Sequence, residues 1–227
     1  MLLDVQHLSK RYGTGDTAVD VLRDVSFSLD AGETLALEGE SGSGKSTVLH
    51  LIAALDAPTG GSIRLDGSKV VGLGDAQAAA LRRTVVGIIF QQFNLVPSLS
   101  IRANIAFHAR LGGRYDAAWA AELSERLGLQ SHLDKYPEAL SGGQQQRVAI
   151  ARTLAARPKL ILADGPTGNL DEDTADRVLD LMLSAAADAG AAVLMVTHSP
   201  RQASRMARRL VLSHGAVTEK SVPAAAQ

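Results

Sequence analysis

Gly39-Glu40-Ser41-Gly42-Ser43-Gly44-Lys45-Ser46-Thr47 is the stretch on which the reading of the fold turns. Residues Gly39 to Ser46 satisfy G-x-x-x-x-G-K-[ST] in full. Thr34–Glu38 before it reads as a short strand, and Lys45–Ala54 as an apolar helix, so the order is strand, glycine loop, helix. The glycines let backbone N–H groups turn inward around phosphates, where the helix N-terminus adds partial positive charge. Lys45 is placed to reach the β- and γ-phosphates, and the Ser46 hydroxyl to ligate Mg²⁺. A nucleoside triphosphate with Mg²⁺ is the ligand this predicts, held by Gly39, Glu40, Ser41, Gly42, Ser43, Gly44, Lys45, Ser46 and Thr47.

Outward from the loop, further short strands are expected at Leu2–His7, Val21–Leu29 and Ser62–Leu65. Apolar runs bounded by breakers at Val85–Phe90, Leu160–Asp164, Ala191–Thr197 and Leu210–Ser213 suit buried strands of a largely parallel sheet. Helices are expected at Ala76–Arg83, Ile101–Leu111, Asp116–Leu127, Gly142–Ala156 and Asp171–Ala189. Trp119, Leu123 and Leu127 recur every four residues as a packing stripe, so the single Trp is read as core. Arg201, Arg205 and Arg209 have the same spacing and read as a solvated face of one more helix, the alternative being contact with anionic lipid or a partner. The segment from about residue 93 to 155 is helix-rich, and the tail 221–227 reads as frayed.

Composition removes several function classes. Cysteine is absent, so thiol nucleophiles, thiolate metal sites and disulfides are excluded. Net charge is -1, without the basic excess of a nucleic-acid binder. No apolar run reaches the 18 or so residues a membrane helix needs, and the N-terminus lacks signal-peptide character. The 227 residues are read as one soluble, cytoplasmic domain.

Leu140-Ser141-Gly142-Gly143-Gln144 resembles the LSGGQ signature of ATP-binding cassette (ABC) ATPases. The order of the other pieces is similar to that family across nearly the whole chain. Phe90-Gln91-Gln92-Phe93-Asn94 looks like its Q-loop, Leu160–Asp164 its Walker B strand, Gly168-Asn169-Leu170-Asp171 its D-loop, and Val196-Thr197-His198 its H-loop. The resemblance implies a P-loop NTPase (RecA-like) α/β core with an N-terminal antiparallel β subdomain and an α-helical signature subdomain. It implies that Tyr12 stacks on adenine, the alternative being a strand-end tyrosine half buried in the core. It further implies Mg²⁺ ligands at Ser46, Gln91 and Asp164, that Gln91 also hydrogen-bonds the attacking water, and that His198 faces the γ-phosphate. Ser141, Gly142, Gly143 and Gln144 would act in trans on the nucleotide of a second subunit, with Asp171 in the D-loop, so a homodimer or paired subunit is implied. The wording around Gln91 and Asn169 is similar to the lipoprotein-releasing and macrolide-exporter branch. A separate integral membrane permease is then the partner, which puts the chain on the inner face of the cytoplasmic membrane, with no nucleic acid involved.

One position departs from the family. Where a glutamate normally follows the Walker B aspartate, this chain reads Asp164-Gly165-Pro166. A general base of that kind contributes about 10²–10⁴ in rate, whereas binding rests on other residues. Expected behaviour is firm ATP–Mg²⁺ binding with slow hydrolysis, or none. A non-hydrolytic regulatory clamp is the alternative. A non-transport ABC protein is less favoured, because only 96 residues separate Lys45 from Ser141, leaving no room for a long insertion.

Overall fold

The structure, a computed structural model, describes residues 1–220. The chain opens with β1 (Leu3–Tyr12), β2 (Val19–Leu29) and β3 (Thr34–Glu38), then the glycine loop and α1 (Lys45–Ile52). Next come β4 (Gly60–Leu65), β5 (Ser68–Lys69), α2 (Asp75–Thr84) and β6 (Val86–Ile89). Helices α3 (Ile101–Leu111), α4 (Ala117–Arg126) and α5 (Gly142–Ala155) follow. The chain then alternates β7 (Leu160–Asp164), α6 (Glu172–Asp188), β8 (Ala192–Thr197), α7 (Pro200–Ala203), β9 (Arg208–Ser213) and β10 (Ala216–Glu219). The chain divides into two compact units, one of residues 1–81 with 194–220, the other of residues 82–193.

In the first unit, β1, β2, β4 and β5 form an antiparallel sheet in the order β2-β1-β4-β5, with Leu3 opposite both Leu29 and Leu65. Val25, Phe27 and Leu29 of β2 alternate inward, as their period of two requires. β3 pairs in parallel with β9, setting Leu37 against Leu210, and β10 adds antiparallel to β9. Leu35, Ala36 and Leu37 are fully buried, so the phosphate-loop candidate leaves a rigid strand. Two expectations fail here. β1 continues five residues past His7 to Tyr12 because β2 and β4 supply it with partners on both sides. The helix through Arg201 and Arg209 stops at Ala203: Arg205 lies beyond its end, and Arg209 lies on β9, where its side chain is buried. Arginine spacing alone carries no information about where a helix ends.

In the second unit, α5 is the packing centre and touches α3, α4 and α6. Val148, Ile150 and Leu154 are wholly buried along it. Trp119, Leu123 and Leu127 all face the core as expected, and the Trp119 indole N–H donates to the Leu154 carbonyl at 3.0 Å. β6 and β7 pair in parallel with Ile89 opposite Ala163. Antiparallel sheet, parallel β/α elements and a helical layer are thus all present, the mixed α/β architecture expected of a P-loop NTPase cassette.

Candidate functional site

In the first unit, Gly44 caps α1 in the left-handed region (φ 102°), and a Cβ there would press on Val21 and Leu22 at 2.9 and 3.0 Å. The turn from β3 into α1 therefore requires a glycine. The Lys45 ammonium donates to the carbonyls of Gly39 (2.8 Å) and Glu40 (2.6 Å), which folds its charge over the loop's own backbone. Ser46 is exposed and Thr47 partly so, both in the first turn of α1. A cavity of about 660 Å³ runs along Gly39–Ser43, its other walls drawn from Val19–Val21, Arg23 and Val211–Gly215. That volume suits a drug-sized or nucleotide-sized ligand.

Tyr12 sits at the end of β1 with 43% of its surface exposed. Its hydroxyl donates to Asp56 at 2.6 Å; that bond and burial raise the phenol's pKa above its ordinary value. His198 is exposed immediately after β8, where Ser199 caps α7.

Directly before the loop, Glu38 is buried and accepts a bidentate pair of bonds from Arg209 at 2.8 and 3.0 Å. Sequence reasoning misses this pair. A charged residue closing the apolar run Leu35-Ala36-Leu37 is the available signal, since a buried charge requires a partner.

In the second unit, Asp164 ends β7, and no helix starts there; α6 begins at Glu172 and is capped by Asp171. The Asp171 carboxylate accepts from the Thr174 backbone N–H at 3.0 Å, and this bond lowers its pKa. Gly165 is left-handed (φ 53°), and a Cβ built on it would lie 3.5 Å from Gln91 Oε1, ordinary contact. Gln91 follows β6 by two residues and lies over this turn. Its Nε2 donates to Asn169 Oδ1 at 3.1 Å, while Asn169 Nδ2 donates back to the Gln91 carbonyl at 3.0 Å. Gly168 permits the approach: a Cβ there would meet Gln91 Nε2 at 2.9 Å. Asn169, in the sequence only one member of a loop, is the residue that holds Gln91.

Ser141 and Gln144 form a capping box at the start of α5, the Ser141 hydroxyl accepting from Gln144 N and the Gln144 carbonyl oxygen from Ser141 N. Gln144 Nε2 is also 2.8 Å from the His132 ring. The glutamine is thereby committed to shaping the helix start, so an incoming anion would meet the Ser141 hydroxyl and the N–H groups of Gly142 and Gly143. A cavity of about 350 Å³ beside them is walled by Arg147 and Arg177. Burial first, then Arg177, lowers the pKa of Arg147. Farther along α5, buried Arg152 donates to the Phe93 and Asn94 carbonyls at 3.0 and 2.6 Å, fixing the segment that follows Gln91.

Among the described residues, no group of three or more His, Asp or Glu side chains could hold a metal by itself. Single oxygen donors such as the Ser46 hydroxyl and Asp164 suit Mg²⁺, which takes one or two protein ligands and completes its shell with phosphate and water.

The family profile described as ABC transporter matches residues 22–168. The lipoprotein-releasing system ATP-binding protein LolD of Geobacter metallireducens is 45% identical over 95% of this chain and 97% of its own length. The macrolide export ATP-binding/permease protein MacB of Syntrophobacter fumaroxidans is 42% identical over 96% of this chain, which corresponds to 31% of that longer protein. Among solved structures, the ATP-binding cassette MJ0796, a dimer in a post-hydrolysis state bound to ADP and phosphate, superposes with a TM-score of 0.87 at 35% identity. The match covers 97% of this chain and 99% of that one. Motif order, fold and relatives agree: the chain belongs to the ABC transporter family, with LolD and MacB among its close relatives.

Proposed function

We propose that this chain is the ATP-binding subunit of a transporter, that it closes as a dimer around two ATP–Mg²⁺, and that it hydrolyses them slowly. The dimeric state of MJ0796 supports the pairing, and the ATP-binding/permease name of MacB, beside LolD as the ATP-binding protein of a releasing system, supports a membrane permease as partner. That permease would hold the chain at the inner face of the cytoplasmic membrane; no helix among the described residues is long and apolar enough to cross a membrane.

Lys45 and the loop amides bind the phosphates, the Tyr12 ring takes the adenine, and Ser141 with the Gly142 and Gly143 amides meets the γ-phosphate of the opposite subunit. Ser46, Asp164 and Gln91 would hold Mg²⁺, which screens phosphate charge when bound. Gln91 and His198 orient water. The step that fails is proton removal. Gly165 carries no carboxylate, the Gln91 amide cannot accept a proton, and Asp171 is engaged in capping α6. The single observation that carries this reading is the Asp164-Gly165-Pro166 sequence in a left-handed turn.

Absence of a base costs about 10²–10⁴ in turnover and leaves binding nearly intact. The test measures ATP binding and phosphate release in the assembled permease complex, for the parent and for Gly165→Glu. Tight binding in both, with turnover rising by about 10²–10⁴ in the variant, is the expected outcome. Equal turnover in the two proteins would sink the missing-base account.

The same glycine favours a second reading, in which ATP clamps a partner complex and is never consumed. A permease that fails to stimulate the parent, yet is retained by it only when ATP is present, would select that reading.

A further inference from the structure

Around Tyr12 the first unit contains a closed set of bonds that phosphate binding leaves unexplained. Asp56, four residues beyond the end of α1, accepts from the Tyr12 hydroxyl at 2.6 Å through Oδ2. Its other oxygen accepts from the Lys10 ammonium at 2.7 Å and from the Ala57 backbone N–H at 2.7 Å. The ammonium also donates to the Ala57 carbonyl at 2.6 Å, and it stands 4.6 Å from the centre of the Tyr12 ring. Lys10 is itself buried, with 8% of its surface exposed, so this is a fixed cation and not a surface tether.

A tyrosine at a strand end ordinarily samples several rotamers, and ordering it on binding opposes affinity. Here the hydroxyl is anchored to the segment after α1 and one ring face is covered by a cation, an attraction in its own right. The exposed part of the ring is then the opposite face and its edge. Because Asp56 follows α1 by four residues, the ring keeps a set offset from the phosphate loop at the other end of that helix.

We infer that Lys10 and Asp56 are positioning residues for the nucleotide base: they hold Tyr12 as a one-faced stacking platform in register with the phosphate cradle. The ligand recognised is a flat aromatic base joined to a polyphosphate, and the polyphosphate alone gains nothing from the arrangement. This rests on the stacking role proposed for Tyr12. Specificity for a base over bare polyphosphate therefore depends on two side chains that need not touch the nucleotide.

The test titrates the purified full-length chain with ATP–Mg²⁺ and, separately, with magnesium tripolyphosphate. Asp56→Ala and Lys10→Met are each expected to weaken ATP by about threefold to tenfold, the cost of ordering one side chain, while tripolyphosphate affinity stays at the parent value. Tyr12→Phe keeps the ring and removes the anchor without disturbing the Lys10–Asp56 pair, so it guards against a folding defect and should show the same selective loss. Tyr12→Ala should lose more ATP affinity than any of the three. If Asp56→Ala or Tyr12→Phe binds ATP as the parent does while Tyr12→Ala loses affinity, positioning is refuted and stacking survives. If Tyr12→Ala also binds normally, the stacking role itself falls. An equal loss for ATP and tripolyphosphate would mark a merely structural effect and overturn the inference.

Discussion

Gly165 occupies the turn that directly follows Asp164 at the end of β7. At φ 53° it lies in a region that costs an ordinary L-residue about 1–2 kcal/mol. Space is not the obstacle, because an added Cβ would touch only Gln91, at 3.5 Å. Any side chain restored here consequently carries a strain cost that is separable from its chemistry. Gly165→Ala should lower unfolding free energy by about 1 kcal/mol in denaturant titration and leave turnover where it is. Gly165→Glu should show the same stability cost together with the gain in turnover. An alanine variant as stable as the parent would mean that the turn relaxes freely and that φ 53° reflects no constraint.

At the scale of elements, the pairing of β3 with β9 decides how the phosphate loop is anchored. Glu38 ends β3 and pairs with Arg209 of β9, both nine-tenths buried, with Lys220 at 3.8 Å as a weaker third partner. Removing one partner of such a pair leaves a buried charge, so Arg209→Met should cost about 3 kcal/mol, softened by Lys220. Glu38→Leu combined with Arg209→Met should recover most of that loss in the same chemical melts, since an apolar pair of similar volume is often neutral. A double variant as unstable as the single one would show that packing, not the unpaired charge, sets the cost. This pair also marks the limit of what the sequence reveals. β3, β7 and α3 are readable to the residue because apolar runs meet polar or breaker residues at both ends. β5 and β10 carry little burial, hence no apolar period, and leave no sign in the sequence. The site divides in the same way. Contiguous stretches such as Gly39–Thr47 and Ser141–Gln144 are legible, because phosphate chemistry demands neighbouring residues. Glu38 with Arg209, Lys10 with Asp56 and Gln91 with Asn169 join residues far apart in the chain, and only the fold brings them together.

For the molecule as a whole, the response of stability to pH is set by the groups whose proton affinity changes on folding. His108, on α3, is one such group. Burial, and secondarily the Arg152 guanidinium, push its pKa down to about 4. The native state then binds this proton less readily than the unfolded chain, in which the imidazole titrates near 6.5. Stability contributed by the neutral ring is complete above about pH 6.5, declines as pH falls below that value, and stops declining once pH passes about 4. Carboxylates behave differently. Asp20, Asp56, Asp116 and Asp171 have pKa values held below their ordinary range, so the stability they provide is lost only at more acidic pH. The two windows barely overlap, which allows the histidine to be isolated. Across about pH 7 to 4.5 the parent should lose on the order of 2 kcal/mol through His108, because each tenfold change in proton affinity is worth about 1.4 kcal/mol and the ring's partial exposure reduces the total. His108→Gln removes the titration, so its unfolding free energy should stay nearly flat over that range while both proteins fall together below about pH 4. Parallel decline of parent and variant across the same range would show that the imidazole is already charged in the native state, and that the buried Arg152 beside it tolerates a second cation.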